Sequence, residues 1–359
     1  MAADGHGLMN VAVDLVIVGG GPAGAAAGIL ARSRGLRVVL LEARVFPRHR
    51  PGETLHPGVE PILRQLGVFE DVEALSLLRP EAQETEWGGA SRTTPYGHSN
   101  RGTWRAFQVM RSDFDRVLLD RFRAVGGELL QPSPRVAPIV EDGRVAGVHG
   151  AGLTIRAPMT IDASGATGFL RRALGVSLVQ LSPRLLVRYG YRRGVVSAIP
   201  KLSGDAKGWS WVAQVKPDLV SWARLEFTAA ATRSSTLPEL ARLPVAARQR
   251  AADVTWRRAS RLAGLGYFLV GEAATLLDPA ASHGVLRALM SGMMAAHATA
   301  DLVMGRASPE AAAHAYTAWL GSWFHRDVDA LLALYAQLGV HLQFQRLASS
   351  ESMAESEKE

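Results

Sequence analysis

Apolar runs broken by glycine open this chain. Residues 11–18 are apolar except for Asp14, and Arg37–Leu41 is apolar after its first residue. Each has the length of a strand buried on both faces. The glycines and alanines between them predict a tight turn and then a helix. Further helical spacing follows Arg111, as far as Ala124, and a short strand ends at Asp162. The middle of the chain changes period. Leu185–Tyr191, Trp209–Val215 and Val220–Phe227 alternate or run apolar between turn residues, which predicts antiparallel strands. A strand at 267–271, a small-residue helix from Val285 to Met304 and one or two helices over Ala311–Leu338 complete the pattern. Strands alternating with helices at both ends predict an α/β fold with a second, antiparallel sheet between them.

The turn after the first strand carries chemistry. Gly19-x-Gly21-x-x-Gly24 follows a strand and opens a helix, and each glycine has its own reason. Gly19 permits the tight turn, Gly21 lets backbone approach a pyrophosphate, and Gly24 lets the helix pack closely on the strand. A pyrophosphate fits over the helix N-terminus, where free N–H groups and the helix dipole favour an anion. Glu42 ends the second strand, eighteen positions after Gly24, where an acid is expected to bind a ribose hydroxyl. These residues predict a bound dinucleotide.

Segment 267–284 resembles the closing motif of glutathione-reductase-type FAD enzymes, with Gly271-Glu272 in place of the usual Gly-Asp pair, then Asp278-Pro279 and Gly284. The resemblance implies that Gly271, Glu272 and Asp278 hold the flavin's side chain. It also implies that the helix opening at Gly284 points its N-terminus at the flavin ring, where negative charge gathers on reduction. Arg111-Ser-Asp-Phe-Asp115 looks like the FAD-contacting arginine segment of aromatic hydroxylases and halogenases. Asp162-Ala-Ser-Gly looks like the form typical of flavin-dependent tryptophan halogenases, a departure from the Asp-Gly of one-component hydroxylases. It implies a separate flavin reductase. Arg50-Pro-Gly-Glu53-Thr54 resembles the segment that covers the flavin in tryptophan halogenases. Arg50 is then a cofactor contact, Glu53 supplies a polar contact, and His56 faces substrate. The loop Arg48–His56 is too rich in Arg and His to be buried without polar partners.

His283, just before Gly284, falls at the flavin edge under the same resemblance. It is expected to act as acid or base, with a structural helix cap as the other reading. The run Asp278–Met293 is most similar to maturase flavoproteins that oxidise protein-bound tryptophan in tryptophylquinone enzymes. Trp209-Ser-Trp211 matches half of a halogenase signature, and as a strand it puts both rings on one face. Trp319 and Trp323, four apart on a helix, read as core or as substrate lining. Halogenases carry an essential lysine in the first third of the chain. The four lysines here are Lys201, Lys207, Lys216 and Lys358. The sequence therefore reads as an FAD-dependent monooxygenase. It is expected to hydroxylate an aromatic ring with O2 through a flavin C4a-hydroperoxide, the ring being tryptophan in a peptide or protein. Two other enzymatic readings are a flavin-dependent halogenase and an isoprenoid double-bond reductase of the geranylgeranyl reductase type. A flavoprotein binding partner without turnover is a further reading. The catalytic candidates are His283, Glu53 and His56, and no metal ligand set is expected.

The 359 residues are 48% hydrophobic, with mean hydropathy near zero, and can bury a large core. The net charge of +7 rests mainly on scattered arginines without interleaved aromatics, so nucleic acid is not the expected partner. A composition biased to Ala, Arg and Gly explains most of the charge, and the rest suits FAD phosphates and an acidic partner. The lack of cysteine excludes a disulfide framework, cysteine-ligated zinc and a cysteinyl flavin, and fits the cytoplasm. No signal peptide or membrane span is visible. The expected fold is a glutathione-reductase-type FAD-binding Rossmann fold with an interleaved antiparallel-sheet substrate domain and C-terminal helices. Residues 11–174 and 259–310 form the FAD-binding domain, 175–258 the substrate sheet, and 311–345 the C-terminal helices. The tails, 1–10 and 349–359, are expected to be disordered.

Overall fold

The structure, a computed structural model, describes residues 9–100, 102–227 and 237–340. Its centre is a six-stranded sheet in the order Glu128–Leu130, Val38–Leu41, Leu15–Val18, Met159–Asp162, Tyr267–Leu269, Ala263–Gly264. The first five strands are parallel, and the last closes as an antiparallel edge. The inner strands are buried on both faces, which is why their sequences are apolar runs without alternation. The chain leaves Leu15–Val18 with the two halves of the sheet on opposite sides, the kind of switch point outside whose carboxyl ends ligands bind.

Four helices matter to the site: α1 (Pro22–Ser33), α2 (Arg111–Ala124), α3 (Gly284–Val303) and α4 (Pro309–Ala336). Helix α1 starts with proline at its first turn and buries ten consecutive residues from Pro22 to Ala31, mostly alanine and glycine. That small surface allows close approach. A Cβ on Gly292 of α3 would sit 2.0 Å from the Ala23 carbonyl oxygen, and one on Gly28 would sit 2.7 Å from the Phe122 ring of α2.

A seven-stranded sheet lies over this core: Val245–Asp253, Leu186–Arg193, Leu219–Glu226, Gly208–Lys216, Lys201–Asp205, Ala82–Trp87, Ala90–Pro95. Two of its strands come from residues assigned on sequence to the FAD-binding part. Lys201 pairs with Glu84 in a parallel ladder that spans more than a hundred residues, a pairing no local pattern encodes. The C-terminal stretch is one helix. The first half of α4 packs Ala312, Tyr316 and Leu320 into the central core, and its second half packs Phe324, Val328, Leu331 and Tyr335 into the core under the seven-stranded sheet.

The N-terminal expectation needs correction. Met9–Ala12 is a strand paired in parallel with Leu153–Arg156, because its backbone groups find a free ladder edge there. Residues 1–8, and the expected tail 349–359 with the last residues of 311–345, lie outside the described residues. Among the described residues no helix is long and apolar enough to cross a membrane.

Candidate functional site

The glycine turn stands at the carboxyl end of Leu15–Val18. Gly19 has φ +111°, and a Cβ there would lie 2.3 Å from the Ala163 carbonyl oxygen. A Cβ on Gly24 would strike the Gly19 carbonyl oxygen at 1.9 Å. Both positions demand glycine for reasons internal to the protein. Gly21 differs: a Cβ there would meet only the Arg48 guanidinium, at 3.2 Å. Glu42 is 4% exposed, and its two oxygens accept hydrogen bonds from Gly20 N (2.8 Å) and Arg44 N (2.9 Å). The acid thus stands beside the turn, as the spacing predicted.

Arg48, not Arg50, faces that turn. Its Nε is buried without a hydrogen-bond partner, its guanidinium covers the Phe46 ring at 4.6 Å, and its nearest carboxylate is Asp115 at 3.7 Å. Burial pulls its pKa down, with Glu42 opposing. Arg50 is exposed. An under-satisfied cation at a glycine turn is what a pyrophosphate would complete, so these residues fit a dinucleotide. Behind them Asp115, fully buried, also holds Arg111, whose Nε donates at 2.8 Å. Arg111 Nη1 donates to Glu53 Oε1, also at 2.8 Å. Burial works against the Arg111 charge, but Asp115 and Glu53 hold its pKa above the ordinary value. Glu53, proposed on sequence as a catalytic group, is therefore committed to this arginine.

On the far side of the turn Gly271, at φ +55°, abuts Ala23, and its N–H donates to Ser291 Oγ at 3.0 Å. Glu272 is exposed and directs its carboxylate toward Gly165, within 3.5 Å of where a Cβ there would be. Asp162 is consumed locally. Its oxygens accept from Ser164 N and Oγ and from Leu170 N, which fixes the Asp-Ala-Ser-Gly turn. Asp278, expected on sequence to hold the flavin's side chain, is bonded inside the fold. It is 1% exposed, and its carboxylate accepts from Trp256 Nε1 (2.7 Å), Tyr335 Oη (2.6 Å) and Ala280 N (2.9 Å). Burial raises its pKa against those bonds. Through Ala280 and Tyr335, Asp278 ties the turn before α3 to the end of α4. In front of Gly284, by contrast, a Cβ would meet nothing within 4 Å.

A second cluster lies beside that opening. His56 and His283 face each other edge to face at 5.7 Å between ring centroids, and Tyr96 lies against His56 at 6.0 Å. Burial pushes the Tyr96 hydroxyl up to about 12 and lowers the His56 pKa, the latter with help from His283. His283 occupies the N-cap position of α3, but its side chain caps nothing. Its Nδ1 lies 3.2 Å from Asp327 Oδ1 on α4. Arg287 grips the same carboxylate through Nε (2.6 Å) and Nη2 (2.8 Å) and stacks on Trp323 at 4.2 Å. The two tryptophans of α4 thus divide: Trp319 packs on the central core, and Trp323 supports Arg287. Trp209 and Trp211 share a face, as predicted, both packed in the core under the seven-stranded sheet, where Trp209 Nε1 donates to Tyr335. Sequence reasoning missed Asp327, Arg287 and Tyr96. Only the i, i+4 spacing of His283 and Arg287 hinted at any of them.

Residues 12–318 match the FAD binding domain family. A 1H-pyrrole-2-carbonyl peptidyl-carrier-protein brominase of Pseudoalteromonas luteoviolacea is 28% identical over 324 residues, covering 81% of this chain and 78% of the relative. A tryptophan 2-halogenase of Chondromyces crocatus is 27% identical over 344 residues, covering 84% of this chain and 64% of that enzyme. Among solved structures the flavin-dependent brominase Bmp2 is similar at TM-score 0.77 and 26% identity, over 87% of this chain and 84% of that one. The fold is shared with pqsL, a probable FAD-dependent monooxygenase from Pseudomonas aeruginosa, at TM-score 0.78 and 18% identity, over 91% and 96% of the two chains.

Proposed function

This chain belongs to the FAD binding domain family, and on that premise we propose that it is a flavin-dependent halogenase of an electron-rich aromatic ring. The observation that carries the reading is the likeness to a brominase across 81% of the chain. That likeness outweighs the sequence-based preference for hydroxylation. The resemblance to tryptophan-oxidising maturases gains no support from the halogenase names of these relatives. The brominase's name places its ring on a peptidyl-carrier protein, which supports a substrate carried on a protein or peptide here.

In this reading Gly19, Gly21 and Gly24 cradle the FAD pyrophosphate, Arg48 neutralises it, and Glu42 turns from Gly20 to a ribose hydroxyl. Arg111 is a second cation behind that site, and Gly271 and Glu272 border the flavin's side chain. The N-terminus of α3 at Gly284 meets the flavin ring. Bound FAD, reduced by a separate flavin reductase, supplies the activation of O2. The protein orients the ring, excludes water and moves protons at His56 and His283.

Hydroxylation stays as a second reading because of the lysines. Lys201 is paired with Glu84 and Glu86 on the outer face of the seven-stranded sheet, and Lys216 approaches Asp113. The test is turnover of pyrrole-2-carboxylate and tryptophan, each free and peptide-borne, with a flavin reductase, FAD, O2 and bromide or chloride. A product heavier by one halogen, absent without halide, supports the proposal. A product heavier by one oxygen whatever the halide establishes the second reading in its place.

A further inference from the structure

His56 and His283 meet edge to face beside the open space in front of Gly284, and in this cleft they are held through the same ring nitrogen by partners of opposite character. His56 Nδ1 accepts a hydrogen bond from Gly58 N–H at 3.0 Å. A backbone N–H can only donate, so the Nδ1 lone pair is engaged and the His56 proton sits on Nε2. His283 Nδ1 faces Asp327 Oδ1 at 3.2 Å. Asp327 is anionic: burial opposes its charge, but Arg287 and His283 hold its pKa down at about 2. A carboxylate can only accept, so in the neutral ring the His283 proton sits on Nδ1 and the lone pair on Nε2. Charged and titratable groups about the pair among the described residues include Arg287, Arg326, which shares the Trp323 ring with it, and Tyr96 beside His56.

We infer that Asp327, clamped by Arg287, is a positioning residue that fixes His283 as the cleft's proton acceptor, while Gly58 fixes His56 as a proton donor. The inference rests on the reading of this cleft as the place where the ring is modified. When an electrophile joins a ring carbon, that carbon must release its proton. The C–H bonding pair returns to the ring and restores its aromaticity, and Nε2 of His283 takes the proton. No electron is transferred in this step. The oxidising equivalents come from O2, consumed earlier with halide and reduced flavin. His56 Nε2–H is the complementary donor, able to return a proton or to hydrogen-bond the incoming oxidant.

Two measurements test this. Two-bond 1H–15N spectra of the FAD-loaded, 15N-histidine-labelled protein at pH 8 report each tautomer without turnover. His283 is expected as Nδ1–H and His56 as Nε2–H. Asp327→Ala is expected to move His283 toward Nε2–H and leave His56 unchanged. In the bromide assay above, the same variant should lose about 10²-fold in kcat with KM within about threefold of wild type. An Nε2–H tautomer at His283 in the unmodified protein overturns the inference, as does an Asp327→Ala variant with unchanged kcat. Because the spectra need no substrate, a failure of the halogenase reading would show in product masses alone and leave the tautomer result standing.

Discussion

Arg48 and Arg50 lie two residues apart in one loop, and the motif resemblance pointed to the second. The fold chose the first, because Arg48 turns inward against Asp115 and the Gly21 turn while Arg50 stays in solvent. A charge-assisted hydrogen bond is worth about 1.5–3 kcal/mol. Arg48→Ala should therefore weaken FAD binding by roughly ten- to a hundredfold, read by flavin fluorescence titration of the apoprotein. Arg50→Ala should change it by less than about twofold. The reverse ranking would return the role to Arg50. At Asp327 the folded-state pKa of about 2 lies below the ordinary 3.8. A depressed carboxylate stabilises the fold above pH 3.8 and loses that contribution as pH falls through 2. The shift corresponds to about 2 kcal/mol. Urea unfolding between about pH 4 and pH 2 should show a loss in wild type that exceeds the loss in Asp327→Ala by about 2 kcal/mol, the remainder coming from other depressed carboxylates such as Asp14 and Asp253.

Helices α1 and α3 cross so closely that their contact is set by one missing methyl group. Gly292→Ala would place a Cβ 2.0 Å from the Ala23 carbonyl oxygen, and backbone cannot step aside as a side chain can. Overpacking of that kind costs about 1–3 kcal/mol or more, and it displaces α1, whose N-terminus carries the glycine turn. Lower thermal stability and weaker FAD uptake should appear together. Gly284→Ala is the contrast. Its Cβ meets nothing within 4 Å, so the apoprotein should unfold within a degree or two of wild type. FAD binding should still fall if the flavin ring occupies the space in front of that residue. A Gly284→Ala protein with full FAD affinity would move the ring elsewhere.

The two largest cores among the described residues meet along α4, and Asp278 is a buried polar knot beside its end. It receives Tyr335 from the end of α4 and Trp256 from the strand region that leads back into the central domain. Asp278→Ala removes the carboxylate that Tyr335 Oη and Trp256 Nε1 bond, at about 1–3 kcal/mol for a buried hydrogen bond lost. Its unfolding midpoint should fall by several degrees while FAD affinity in the folded fraction stays near wild type. A selective loss of FAD would instead restore the cofactor role that the motif resemblance implied. FAD itself should stabilise the whole chain, by about 2.7 kcal/mol at a concentration a hundred times its Kd, and NAD should not.

What the sequence determined is what local chemistry encodes. The strand, Gly19–Gly24 turn and helix, and the acid at Glu42, are legible because a buried parallel strand needs an apolar run and a tight turn against a pyrophosphate needs glycine at fixed spacing. The paired faces of Trp209 and Trp211 follow from a period of two. Tertiary structure alone decided which arginine enters the site, because the inward direction of a loop depends on Asp115, more than sixty residues away. It also buried Asp278 among donors that no local pattern shows, with Trp256 and Tyr335 both on Oδ2 and Ala280 on Oδ1. Of the His283–Asp327–Arg287 arrangement only the i, i+4 spacing of His283 and Arg287 was legible. Asp327 lies forty-four residues beyond His283, on a helix whose register over α3 is set by the packing of two separate cores.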